Sequence, residues 1–592
     1  MVATQHKQKK KKKSGCRSGG QPQPTAAAAG NAAAGAGQST GSRERRPKPA
    51  KVSGREAGAR IRGLADTSSR LEVRRRLRQL AGQVARGPAD AQRMTFLEAE
   101  IAECLDEAQT GEAGRDRWLL CEAAAWALGW MARTKRAGGS AGGLLERLVQ
   151  QARAAETVLG VRDTQSARFV LLLARLFRDI EACRCLEEPA IAAVREEIGR
   201  LVTAAGAVGL SGSENVLERV VRWTNFRAAG LATGPLPWDE ATEAAWSAAA
   251  VAALRLLGGR GRMLVGAGRL PGCFSQSLLA SVAAGPRRRF AQAAARSARG
   301  LEDGRPKGKC LSRDFHDPAA AVAILRSGWE SDAVRVLVEY REATPRIEIA
   351  VDDRLLCAGA WQWSASADER PLDAEGGWKA SCWESDRKAT FLEITAPLTG
   401  GLQIERQVVI LPRQRLVLLA DALVPRPGVA ATVQELGYRG TLPLAAGLDC
   451  DPEPETREVL VSDTEARCMV LPLALPEWRV AGRGRLQASA DGITLEQQGG
   501  LRLYAPLWID CDATRIGRPR TWRQLTVADS RRILPPHQAV GFRVQSGREQ
   551  WLVYRALDVP RNRTLLGCNV SCEFLVGRVK RSGEVARTLE IQ

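Results

Sequence analysis

Histidine and tyrosine are scarce in this chain of 592 residues: His6, His316 and His537, and Tyr340, Tyr438, Tyr504 and Tyr554. Neither type occurs between Asp66 and Gly300. Imidazole and phenol are frequent carriers of protons in catalysis, so the stretch from Asp66 to Gly300 lacks both of these acid and base groups. Three histidines also leave no arguable Ser/His/Asp arrangement. Among the fourteen cysteines there is no CxxC, and Cys568 and Cys572 have no partner pair at ligand spacing, so no metal and no cofactor is expected. The surroundings of Cys121, Cys183 and Cys185 look like helix faces, which predicts buried, reduced thiols. No run reaches transmembrane length, and no apolar stretch follows the first lysines, so neither a membrane span nor a signal peptide is expected and the setting is read as cytoplasmic. The glycine-rich stretch Leu256–Gly268 lacks the Gly-Lys-Ser/Thr of a phosphate loop.

What is present starts with charge. The formal net charge is +21, and residues 1–62 hold fifteen Lys or Arg against Glu44 and Glu56, so thirteen of those charges sit there and eight in the remaining 530 residues. Residues 1–63, with Lys9 to Lys13 and an Ala/Gly tract, are too poor in large apolar side chains to offset ordering entropy and read as a disordered tail. Such a tail attracts anionic polymers loosely, or serves as a solubilising extension or a mis-assigned start.

Residues 64–305 read as an all-α array. Leu97, Ile101, Cys104, Leu105 and Ala108 form one apolar stripe, and Trp118, Leu119, Ala123, Trp126 and Trp130 the next. Further helices are expected over Leu144–Leu159, Ala167–Ile180, Ala190–Ala204, Asn215–Ala229, Trp238–Leu257 and Phe274–Ala283, with turns at Gly, Pro and Ser clusters between them. Residues 306–592 read as short alternating strands, enough for two stacked antiparallel sheets. The longest is a hairpin, LQIERQVVILPRQRLVLLADALV from Leu402 to Val424, reversing at Leu411-Pro412-Arg413-Gln414.

A helical block feeding a large antiparallel sandwich, with RSGWESDA opening the first strands and the RQVV…LVLLAD hairpin later, resembles the heparinase II/III-like polysaccharide lyases. The resemblance spans roughly Arg115 to the C-terminus and is firmest between Leu325 and Val424. It implies paired helices curving into an incomplete toroid, a ligand cleft between toroid and sandwich, and β-elimination on uronic-acid polymers with a Tyr/His set. Lyases of this kind generally work outside the cytoplasm. The sequence departs from that pattern where the relatives usually carry histidines after the first strands: it reads Arg341-Glu342-Ala343-Thr344-Pro345.

Candidate site residues follow from the chemistry. Tyr340 is the one phenol near the junction and needs a cationic neighbour, Arg341 or Arg222, to act as a base near neutrality. His316, between Asp314 and Asp317, is the one nearby imidazole, and either an acid or a linker histidine. Arg222 and Asn225, with Trp223 between them, lie three apart on a helix and suit a clamp on a carboxylate or sulfate, or else a solvated face. Ser211 or Ser213 can cap that helix. Trp361 and Trp363 project from one strand face and either stack on sugar rings or fill the core. The leading expectation is a binding protein for an acidic polysaccharide or a protein partner in the interdomain cleft, with weak or no lyase activity. The alternatives are an active lyase with Tyr340 as an atypical base, and an intracellular scaffold whose basic tail attracts nucleic acid.

Overall fold

The computed structural model describes residues 52–258, 296 and 311–592, apart from 69, 88–90, 111–113, 135–139, 160–163, 209–215, 353, 430–432 and 531. The expectations for residues 1–51, for a helix over Phe274–Ala283 and for capping by Ser211 or Ser213 lie outside the described residues. The first helix, Gly54–Ala65, begins ahead of the boundary expected at residue 63. Its start is fixed by a capping box, in which Ser53 Oγ accepts from the Glu56 amide and the Glu56 carboxylate accepts from the Ser53 amide at 2.9 Å. Ala57, Ile61 and Leu64 then bury one face in the helical core, an amphipathic pattern hidden by the basic residues around it.

Helices follow at Leu71–Arg86, Ala91–Thr110, Arg115–Arg133, Ala141–Leu159, Thr164–Leu176, Glu187–Leu201, Val216–Thr233 and Glu240–Ala253. The expected stripes Leu97/Ile101/Leu105 and Trp118/Trp126/Trp130 are all in the core. Buried ion pairs tie these helices together: Arg168 to Glu122, Arg219 to Glu197, and Arg227 bidentate to Glu243 at 2.6–2.9 Å.

Everything after Leu311 is dominated by antiparallel strands. The first sheet is a meander of β1 (Phe315–Asp317), β2 (Val322–Arg326), β3 (Arg335–Glu339), β4 (Arg346–Val351) and β5 (Arg354–Ala360). Its two faces do different jobs. Ile324, Leu337 and Ala350 pack into the helical core, whereas Ala323, Leu325, Val336 and Val338 pack into the sandwich core. The alternation of a strand thus cements two cores at once.

The hairpin Leu402–Leu411 and Leu416–Pro425 lies in an eight-stranded sheet and is buried on both faces. Ile404, Val408 and Ile410 face the first sheet, while Val409, Leu411, Leu418 and Ala420 face a C-terminal five-stranded sheet with Phe542, Trp551 and Phe574. This corrects the expectation of two stacked sheets: the eight-stranded sheet is covered on each side, because both parities of the hairpin are apolar. The turn closes through Arg415 at φ 52°.

The RSGW stretch has a structural explanation. Arg326 is fully buried and donates across the junction to the carbonyls of Arg255 (2.6 Å) and Leu257 (2.8 Å), with its guanidinium 4.4 Å from the Trp329 ring centre. It therefore caps the end of the last described helical segment from the β side. Arg326→Ala is expected to cost roughly 3 kcal/mol, since charged donors are removed from buried carbonyls. It should split the denaturant unfolding curve into separate helical and β transitions; a single transition at the wild-type midpoint would refute the clamp.

Candidate functional site

The structure brings His316 and Tyr340 together. His316 lies on β1 opposite Ala323 of β2, which in turn opposes Val338 of β3, and Tyr340 stands two residues beyond Val338. Directly opposed residues of antiparallel strands share a face, so both side chains project on the same side of the sheet. Their polar atoms, His316 Nε2 and the Tyr340 hydroxyl, are 2.8 Å apart. Trp383, from the strand Lys379–Ser385, stacks on the imidazole with ring centres 4.9 Å apart.

The electrostatics run against a base. Burial, with a smaller contribution from the Asp317 charge, pushes the Tyr340 phenol up to about 12. Burial lowers the His316 imidazole below its ordinary value, opposed by Asp317. The flanking aspartates expected to hold an imidazolium are engaged elsewhere. Asp317 accepts from the amides of Ala319 (2.9 Å) and Ala320 (3.2 Å) and from the Thr203 hydroxyl. Asp314 accepts from the Arg326 amide and from the hydroxyls of Ser385 and Thr390 at 2.7–2.8 Å. The pair is therefore a neutral imidazole and a neutral phenol, and Tyr340 is 1% exposed.

The cleft between helices and sheet lies on the other face of the same strands. A cavity of about 390 Å³ is lined by Ala249, Ala252, Ala253 and Leu256 from the helical side and by Phe315, Val322, Ile324 and Leu337 from the sheet, with Glu339, Arg341, Glu342 and Arg346 among the lining charges. Phe315 pairs with Ile324, and Ile324 with Leu337, the row of opposite parity to His316. One sheet thickness thus separates the His316–Tyr340 pair from the cavity. The Glu339 carboxyl is held above its ordinary value by burial, opposed by Arg346 at 3.7 Å. Arg341 is exposed and donates to the Ala319 carbonyl at 3.3 Å. The Tyr340 shift comes from burial first and the Asp317 charge second.

The other expected binding residues are dispersed. Trp223 is fully buried, and its indole nitrogen donates to Glu197 at 2.9 Å, so its ring belongs to the helical core. Arg222 is half-buried, 3.8 Å from Glu218 on its own helix, and Asn225 is half-buried; neither lines the cavity. On the same helix Arg219 and Arg227 pair with the buried glutamates Glu197 and Glu243. Trp361 is 3% exposed beneath the Arg406 guanidinium, 3.9 Å from its ring centre, and Trp363 packs edge-on against Trp378 at 6.3 Å. Buried in the sandwich core between β5 and the strand Gln362–Ala367, Trp361 is unavailable to a sugar, which corrects the stacking expectation for it.

Sequence reasoning missed one charged group. Glu393, Glu405 and Glu573 have carboxylate oxygens within 4.8 Å of one another, the one such set among the described residues that offers metal-ligand geometry. The guanidinium of Arg555 stands among them, bonded to Glu405 and 2.7 Å from Glu573. A built-in cation stands among the three carboxylates, and Glu573 and Arg555 lie about 150 residues or more beyond Glu393 and Glu405, so no local spacing shows the set. The described cysteines are all free thiols, and those with a resolved shift are pushed upward chiefly by burial.

No family model matches this chain, and no curated protein matches it. Solved structures do resemble it. The heparan sulfate lyase HepC from Pedobacter heparinus superposes with a TM-score of 0.53 at 11% identity, over 83% of this chain and 84% of that one. The heparinase III product of BT4657 gives 0.52 at 9% identity, over 86% and 91%. A further heparinase III structure gives 0.53 at 10% identity, over 81% and 82%. The chain thus has the heparinase fold, a helical region followed by an antiparallel β domain. Among the described residues no helix is long and apolar enough to cross a membrane.

Proposed function

We propose that this chain is a binding protein on a heparinase-type scaffold, taking an acidic polysaccharide or a partner that mimics one at the junction of its two domains, with little or no elimination. One observation carries the reading: the His316–Tyr340 pair is turned into the sandwich, with Tyr340 buried and its phenol pushed to about 12, while the cavity lies behind the opposite sheet face. Elimination next to a uronate carboxylate needs a base within hydrogen-bond reach of the α-proton. Among the described residues no histidine or tyrosine lines the cavity. The arginines Arg341 and Arg346 that line it, and the substrates named for the solved neighbours, support an acidic glycan as ligand.

Incubation with heparan sulfate, other uronate polymers and alginate is expected to give no steady rise in the ultraviolet absorbance of unsaturated uronate, while calorimetry or affinity electrophoresis shows retention. Tyr340→Phe should leave retention unchanged and cost about 1 kcal/mol of stability for one lost hydrogen bond. A sustained absorbance rise abolished by Tyr340→Phe would overturn this reading in favour of a lyase with a tyrosine base.

A further inference from the structure

The floor of the junction cavity is apolar in a way that an acidic sugar alone does not use. Ala249, Ala252 and Ala253 present three small side chains from the helix Glu240–Ala253, and Ile324 and Leu337 close the space from β2 and β3. These five are 0–7% exposed. The alanines leave room where larger residues would close the contact, and about 390 Å³ falls within the ~300–1,000 Å³ of small-molecule sites. A polar glycan ring placed there would lose water without gaining hydrogen bonds.

The charges at the mouth limit the polar end of the ligand. Glu339 faces Arg346 at 3.7 Å, whereas Arg341 donates to the Ala319 carbonyl at 3.3 Å. Glu342 lies on the same rim, so acids and arginines balance two against two. Such a rim offers Arg341 to one carboxylate presented end-on.

We infer that the ligand is an acidic sugar carrying an apolar group: the carboxylate meets Arg341 and the apolar group enters the cavity between the alanine-lined helix and the sheet. This rests on the binding reading above and specifies its ligand class. The probes are methyl, butyl and octyl β-glucuronides and octyl β-glucoside, titrated calorimetrically into the full chain. Affinity is expected to rise with alkyl length by roughly fourfold for each methylene that enters the cavity. Octyl glucuronide should bind about tenfold tighter than octyl glucoside, a margin lost in Arg341→Ala.

Ala252→Leu fills the cavity and should remove the chain-length gain; Ala253→Val serves if that variant fails to fold. Retention of the polymer with no chain-length gain would overturn the apolar inference and leave the binding reading standing. A chain-length gain with equal affinity for glucoside and glucuronide would keep the apolar cavity and sink the acidic-ligand reading.

Discussion

Arg406→Leu is expected to destabilise the β domain by about 3–5 kcal/mol, the usual cost of breaking a fully buried ion pair by removing one partner. Arg406 and Asp421 sit directly opposite each other in the hairpin register, and both side chains are 0% exposed. Two parallel bonds join them, at 2.7 and 2.8 Å. Arg406 also donates to the Trp361 carbonyl at 2.8 Å, and the Tyr438 hydroxyl donates to Asp421. Removing the guanidinium leaves a carboxylate in the sandwich core with one phenol for company. Replacing both partners, Arg406→Leu with Asp421→Leu, should recover much of the loss, because no charge then stays buried without its partner. Urea unfolding of the two single variants and the double variant measures the coupling as a double-mutant cycle. Strictly additive losses would show that the pair does not act as a unit.

Arg555→Leu should have a comparable effect, and one that depends on pH. Arg555 is 2% exposed and holds the carboxylates of Glu405 and Glu573, with Glu393 at 3.4 Å. Gln407 and Ser381 each donate to Glu393 at 2.8 Å, and the Tyr504 hydroxyl donates to Gln407 at 2.9 Å, so the network is ordered around the arginine. Burial already holds the Glu405 and Glu573 carboxyls above their ordinary value of 4.5, and Arg555 is the main opposing influence. Carboxyls with raised folded values contribute stability fully below the unfolded value, and that contribution is lost as pH rises through the folded value. Without the arginine the folded values rise further. The deficit of the variant, about 3–5 kcal/mol near neutral pH, should therefore shrink as the pH is lowered toward 4.5. Guanidinium unfolding at several pH values would check this, and a deficit that stays constant across that range would show that the three carboxylates are not left uncompensated.

The Arg406–Asp421 pair lies in stretches that looked like family signatures. RQVV and LLAD are legible in sequence as an alternating hairpin, but their shared arginine and aspartate become a pair only through a ten-residue register. RSGW is legible as a strand opening, yet Arg326 spends its donors on carbonyls about seventy residues earlier. Likewise Trp223, which stood between the expected clamp residues Arg222 and Asn225, donates to Glu197 on a neighbouring helix.

By itself the sequence determined the order of the architecture, because helical and strand periodicities are local and each stripe of apolar residues states which face must be buried. It also determined that the helical wall has no imidazole or phenol. Only the tertiary structure decided what the remaining pair does. Strand parity sends His316 and Tyr340 to one side of the first sheet and Phe315, Ile324 and Leu337 to the other. Whether a side chain ends in a cleft or in a core depends on what packs against each face, and that is fixed by contacts between segments hundreds of residues apart.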